Sequence, residues 1–174
     1  EAIIYNADFY DDLHYLDQRE LFESFNQYKT ILDDLSHPIW NEVCEVIKDV
    51  MPDFIGIKMY TGTFKSAQHV AEIAKESDPT MKIIVGGTHP TLDPVGTIKT
   101  GYYDYVVRGE GEYTMLDIVN GVDVRQIKGI TFKDKKGVII NNADRGFVED
   151  LDSLPFPERD KLYSGNCKID VGAI

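Results

Sequence analysis

A chain of 174 residues, 43% of them apolar and 11% aromatic, can bury one good core and fits one domain or one plus a small appendage, which excludes two domains of full size. Thirty acidic side chains against 18 basic ones leave a formal charge of -12, which argues against a nucleic-acid groove and against electrostatic adhesion to an anionic membrane. No run of eighteen apolar residues is present, and the opening EAIIYNADFYDD lacks the basic flank and long apolar region of a signal peptide, so the expected location is cytoplasmic. Cys44 and Cys167 are far apart and have no neighbouring ligand cluster, so neither a disulfide framework nor a closed zinc or iron-sulfur site is expected, and Cys44 reads as core.

In chain order, AIIY (2–5) is the first short β-branched run and predicts a strand. Leu21, Phe25, Tyr28, Leu32 and Leu35 then alternate spacings of four and three, as do Trp40, Val43, Ile47 and Val50 before Pro52, so two amphipathic helices follow. FIGIKM (54–59), KIIV (82–85) and YVV (105–107) predict three further strands. Ala67, Val70, Ala71 and Ala74 mark a helix between the first two of these, and Tyr113, Leu116 and Val119 mark another before Gly121. Strands apolar on both faces, alternating with helices, predict an open α/β sheet of the flavodoxin-like or Rossmann-like kind, parallel and covered by helices. IKGITF and VIINN, split by KDKKG, predict a β-hairpin, and FVEDLDSLPFPERDKLY (147–163), with two prolines and several acids, predicts an extended strap. The expected division is an α/β domain over 1–145 and a linker over 146–174.

Ligands of open parallel sheets sit beyond the carboxyl ends of the strands, which here lead into YNAD (5–8), MYTGTFKS (59–66), GGTHPT (86–91) and RGEGE (108–112). Three of these four loops carry glycine, which either permits a tight turn or lets something bulky come against the backbone; together they point to a ligand cleft. Neither a dinucleotide fingerprint nor a phosphate loop is present, and Glu110 and Glu112 would repel a phosphate, so a neutral or cationic ligand is expected. These two carboxylates suit a helix N-terminus, where one could accept a free backbone N–H. The acids of the strap read as a solvated face, and no acid–base or nucleophilic constellation is legible.

FIGIKMYTGTFKSA, KIIVGGTHPTLDP, DYVVRGEGEYTML, IKGITFKDKKGVIINN and EDLDSLPFPERDKL, in this order, resemble the cobalamin-binding domain of the cobalamin-dependent radical S-adenosylmethionine enzymes. The resemblance covers residues 53 to about 160. It implies a corrinoid held across the strand ends by a module without chemistry of its own. It also implies a parent enzyme whose downstream barrel carries a 4Fe-4S cluster and S-adenosylmethionine and performs methyl transfers or related radical steps. The cofactor-binding residues it implies are Tyr60, Thr61, Gly62, Thr63, Gly86, Gly87, Thr88, His89, Gly109, Glu110, Gly111 and Glu112, with Gly86 and Gly87 forming a slot for the nucleotide tail. Thr61, Thr63, Thr88 and Thr91 would offer hydroxyls to the ring's amide arms, and Tyr60 or Tyr113 an aromatic wall.

Asp12-Leu13-His14-Tyr15-Leu16-Asp17 lacks the glycine of the Asp-x-His-x-x-Gly motif, so His14 is not expected to ligate cobalt; His37 and His69 read as structural. Against the family pattern the domain is expected to lack a strand ahead of AIIYN, the sheet's central member, and its edges could be patched by self-association. Two alternatives stay open: the same fold without bound corrinoid, positioning substrate or regulating, and a receiver-like domain with Asp8 as phosphoacceptor, for which Arg108 is a poor stand-in for the required lysine.

Overall fold

The structure, a computed structural model, describes residues 2–5 and 18–156. Asp8, His14, Cys167 and the strap beyond Phe156 lie outside the described residues. Two compact units are resolved, one built from Cys44–Glu149 and the other from Glu1–Val43 with Asp150–Ile174.

The smaller unit contains α1 (Gln18–Asp33) and the start of α2 (Pro38–Val50). Trp40 anchors the pair, its indole N–H donating to Ile31 O at 3.1 Å while its ring is buried. His37 Nδ1 accepts the Ile39 N–H at 3.3 Å, a local structural role at the start of α2. Leu35, expected on the first helix, lies beyond its end and is 63% exposed: α1 closes two residues earlier, and Ser36 turns back on the Asp34 carboxylate. The AIIY strand is also corrected. Ile4 makes a single bridge and belongs to no strand of the sheet, and Ile3 and Ile4 stand about half exposed.

The larger unit is a five-stranded sheet in the order β1 (Phe54–Lys58), β2 (Lys82–Gly86), β3 (Tyr105–Val107), β4 (Ile130–Lys133), β5 (Ile139–Asn141). β1, β2 and β3 are parallel, and the hairpin β4–β5 continues the same sheet antiparallel to β3. The α/β architecture expected from alternating apolar runs and helices is thus the one observed. β2 is the most buried parallel strand, with Ile83, Ile84 and Val85 at 1% exposure or less, as a run apolar on both faces requires. Between β1 and β2 runs α3 (Phe64–Ser77), which buries Ala67, Ala71 and Ala74. Ile84, Val107, Ile118, Ile127, Ile130 and Phe132 form a buried cluster across the sheet and hairpin.

Two features differ from the periodicity. Residues read as loop after β2 form two short helices, α4 (Thr88–Leu92) and α5 (Pro94–Lys99); Asp93 starts the second by accepting the Gly96 N–H at 2.8 Å. The helix predicted from Tyr113, Leu116 and Val119 exists as α6 (Glu112–Val119), but those three residues are 36–50% exposed. α6 instead buries Thr114 and Ile118 and sets Met115 toward Gly56 of β1. EYTMLDIV is apolar around most of its circumference, so spacing could not select the buried side.

β1 is the edge strand. In a parallel ladder alternate residues turn both backbone groups to the neighbour; Asp53 O and Met59 N–H bond β2, which leaves those of Phe54, Gly56 and Lys58 turned outward, away from any described strand.

Asp104 binds three elements together. Its carboxylate takes Lys75 Nζ of α3 at 2.7 Å, Lys82 Nζ at 3.1 Å and the Ile83 N–H at 2.9 Å. Burial alone would raise its pKa, but the Lys75 bond, the Ile83 N–H and Lys82 outweigh burial and hold it below the ordinary carboxylate value. A carboxylate whose folded pKa is depressed stabilises the fold fully above its unfolded value of about 4 and loses that contribution as pH falls through the lower folded value. Asp104→Asn is therefore expected to lower stability by roughly 1–3 kcal/mol at neutral pH. Denaturant titration of both proteins at a series of pH values checks this: the gap should narrow below about pH 4.

Candidate functional site

Because β1, β2 and β3 are parallel, their carboxyl ends share one edge, and three glycine-bearing loops leave it together. The first, after Lys58, carries Tyr60 and the 3-10 turn Thr61–Thr63; the second carries Gly86, Gly87, Thr88 and His89; the third carries Arg108 to Glu112. The structure thus brings the sequence-predicted residues of all three loops to one side of the sheet.

The first two loops meet backbone to backbone. Met59 N–H donates to Gly86 O at 2.8 Å, extending the ladder one residue past the strands. Gly87 then turns with φ +111°, and a Cβ on it would stand 2.6 Å from Met59 O. Its bareness permits the positive φ of the turn and admits the protein's own Met59 peptide. Beyond this crossing Thr61 Oγ1 lies 3.1 Å from His89 Nδ1, and the His89 ring meets the Phe64 ring edge-on, centroids 5.0 Å apart. Two sides of the imidazole are thus occupied by protein.

The second and third loops are joined by one side chain. Thr91 Oγ1 donates to Gly87 O at 2.8 Å and accepts the Gly109 N–H at 3.0 Å. Its hydroxyl, expected to meet a ligand, has its one proton used in the fold. Thr63 Oγ1 is similarly engaged, accepting Tyr60 N–H at 2.9 Å and donating to Tyr60 O at 3.2 Å. The sequence carried no signal for which hydroxyls are internal ties.

Open peptide remains beside these ties. Cβ atoms added at Gly62 and Gly109 would meet nothing within 4 Å, and Gly109 has φ +69°. Tyr60 is 47% exposed, with Lys58 Nζ 5.1 Å from its ring centroid. Glu110 and Glu112 are exposed; Gly111 is the N-cap residue of α6 and has no side-chain cap bond, so among the described residues neither carboxylate forms the expected cap. His69 lies on α3 with Nδ1 3.9 Å from Glu72, away from the loops in sequence and paired locally.

The loops form an open shelf. A recess of about 360 Å3 lies instead at the amino ends of the strands, lined by Phe54, Lys82, Tyr105 and Ile118 among others, and one of about 370 Å3 touches Gln27, Thr30, Ile31 and His37. Neither includes a glycine of the three loops. Bare peptide at Gly62 and Gly109, flanked by an exposed aromatic ring and uncharged hydroxyls, fits a broad ligand laid across the shelf. It does not fit a small molecule swallowed by a cavity. No group of three or more metal-ligating side chains occurs among the described residues.

The sequence profile of the B12 binding domain matches residues 6–119, more than half of the chain. The chain belongs to that family, whose cofactor is cobalamin. It is 32% identical over 146 residues to the uncharacterized methyltransferase PH0819 of Pyrococcus horikoshii, covering 80% of this chain and 32% of the relative. Over 130 residues it is 31% identical to the anaerobic magnesium-protoporphyrin IX monomethyl ester cyclase of Rubrivivax gelatinosus, covering 70% of this chain and 23% of the relative. The chain therefore spans about a third or less of these relatives' length. Its fold is similar to that of the cobalamin-dependent S-adenosylmethionine radical enzyme OxsB with aqua-cobalamin bound, with a TM-score of 0.54 at 22% identity, covering 62% of this chain and 16% of that one. The radical S-adenosylmethionine methyltransferase TsrM of Kitasatospora setae gives 0.52 at 14% identity, covering 60% and 21%.

The two kinds of glycine predict opposite responses. Gly87→Ala should cost roughly 2–4 kcal/mol, because the strained φ and the Met59 peptide both oppose a Cβ. Gly62→Ala should change stability by less than about 0.5 kcal/mol. Thermal or urea unfolding of the two variants measures the contrast.

Proposed function

We propose that this chain is the corrinoid-binding module of a cobalamin-dependent radical S-adenosylmethionine enzyme, of methyltransferase or related type, and that it holds the cofactor at the carboxyl ends of β1, β2 and β3. The observation that carries the reading is the stitched shelf: three loops fixed to one another by Thr91, by the Thr61–His89 contact and by the Gly87–Met59 crossing, with open peptide at Gly62 and Gly109. Family membership supports the ligand class. Cobalamin supplies a cobalt centre able to carry a methyl group. The residues proposed to contact it are Tyr60, Thr61, Gly62, Thr63, Gly86, Gly87, Thr88, His89, Gly109, Glu110, Gly111 and Glu112. Gly87 in this set offers its peptide rather than empty space.

The chain's own residues bind and orient; the radical steps belong to the iron-sulfur cluster and S-adenosylmethionine of a barrel in the parent polypeptide. We also propose that one more parallel strand lies along the outer edge of β1, where Phe54, Gly56 and Lys58 turn their backbone groups outward, away from any described strand. A second reading keeps the fold and drops the vitamin, leaving a substrate-positioning or regulatory domain. The internal use of Gly87 and the absence of any shelf glycine from the recess linings favour it.

Titration with hydroxocobalamin, followed by its visible spectrum, separates the two. The proposal expects saturable spectral change; a spectrum that stays that of free vitamin at every protein concentration defeats it. Gly62→Leu, whose side chain would enter open space, should leave unfolding unchanged and weaken binding by at least about tenfold.

A further inference from the structure

We infer that Arg108 is a positioning residue that clamps the Gly109–Glu112 loop to the chain segment leaving the β-hairpin, so that the two form one mechanical element. The inference rests on the corrinoid reading for its functional consequence, but its geometry stands alone. Arg108 is the first residue after β3, and its N–H donates to Gly129 O at 2.8 Å, continuing the pairing with the approach to β4. Its side chain, 14% exposed, does not turn toward the loops of β1 and β2. Nη2 donates to Asn142 O at 2.5 Å and lies 3.1 Å from the Asp144 carboxylate.

The segment it grips is itself fixed. Asn142 Nδ2 donates to Val124 O at 2.7 Å and Ile127 O at 2.6 Å, and Gly129 N–H donates to Ala143 O at 2.8 Å. Arg145 closes the far side, its Nε donating to Thr114 Oγ1 at 3.0 Å and its guanidinium pairing with Asp117, both on α6. The crossing point is Gly129, at φ +75°, where a Cβ would stand 3.2–3.3 Å from Thr114 Oγ1, Arg108 O and Arg145 Cβ. The next residue, Gly109, gives its N–H to Thr91. Residues 108 and 109 are thus tied on one side to the outgoing chain and on the other to the β2 loop.

Stability alone does not require an arginine here. Among the described residues Arg108 Nε is buried with no hydrogen-bond partner, a desolvation cost that an apolar side chain of similar volume would avoid. What the guanidinium adds is a directional grip on Asn142 O that an apolar residue cannot make, holding the start of the loop in register with the exit segment.

Hydrogen exchange of the ligand-free protein tests the clamp, and hydroxocobalamin titration tests its consequence. In Arg108→Gln, exchange at the hydrogen-bonded N–H groups of the two segments, those of Arg108, Gly109, Gly129 and Asn142, should rise together by about tenfold or more while strand β2 keeps its protection. Cobalamin affinity should fall by at least about tenfold, with partial recovery in Arg108→Lys. Asp144→Asn removes only the exposed partner, 86% accessible, and should leave exchange and affinity near those of the unmodified protein. Unchanged exchange in the two segments overturns the clamp whether or not cobalamin binds. A rise shared equally by β2 also overturns it, since that reports global destabilisation. Loosened segments with unchanged affinity remove the functional consequence, and failure of the unmodified protein to take cobalamin removes the corrinoid reading while the exchange result still judges the clamp.

Discussion

The peptide of Gly87 lies where a side chain would otherwise strike Met59, and this contact between two backbones sets the geometry of everything above the sheet. It can form only because Gly87 takes φ +111°, a conformation that side-chain-bearing residues rarely adopt. With the first two loops locked at that point, Thr61 can reach His89 across them, and Thr91 sits where a single hydroxyl joins Gly87 O to the Gly109 N–H. A larger residue at position 87 would move the two loops apart and disconnect the third. The shelf is therefore a property of strand-end packing before it is a property of any ligand.

The two edges of the sheet are finished differently. On the β3 side, β4 and β5 complete the hydrogen bonding, and Ile118, Ile127, Ile130 and Phe132 close a core over it. On the β1 side, Ile55 and Ile57 are only partly buried, and Phe54, Gly56 and Lys58 turn their backbone groups away from any described strand. A parallel edge that no described strand covers favours association, since its outward backbone groups remain to be paired. The asymmetry is the physical ground for placing further polypeptide along β1.

Strands and parallel order were legible because β-branched runs such as KIIV and YVV must be buried on both faces, and only a covered parallel sheet does this repeatedly. The hairpin was legible from KDKKG between two apolar runs. AIIY was misleading, since four apolar residues satisfy a strand pattern without specifying a partner, and pairing is a tertiary property. The exposed face of α6 was illegible for a related reason: its apolar residues cover more than one side, and which are buried depends on distant partners, Ile118 in the cluster with Ile127, Ile130 and Phe132 and Met115 near Gly56, 59 positions away. Of the shelf, the loops and their glycines could be read, but not the division of labour within them. Nothing in GGTHPT distinguishes Gly86 from Gly87, or Thr88 from Thr91; that distinction comes from where the neighbouring strand's peptide lies.

The way the loops are joined bears on how a large ligand with little net charge could be held. A phosphate site can draw on a few strong charge-assisted bonds, whereas the shelf carries Glu110 and Glu112 and would have to draw on peptide edges, hydroxyls and one aromatic ring, each contributing modestly. Many weak contacts give useful affinity only if the groups making them are already ordered, because immobilising each flexible side chain on binding costs about 0.5–1.5 kcal/mol. The ties made by Thr91, by Thr61 with His89 and by Arg108 incur that ordering cost when the protein folds. Side chains used as internal struts are thus as necessary to such a site as those left free to touch the ligand, and loosening a strut should weaken binding without removing a single direct contact.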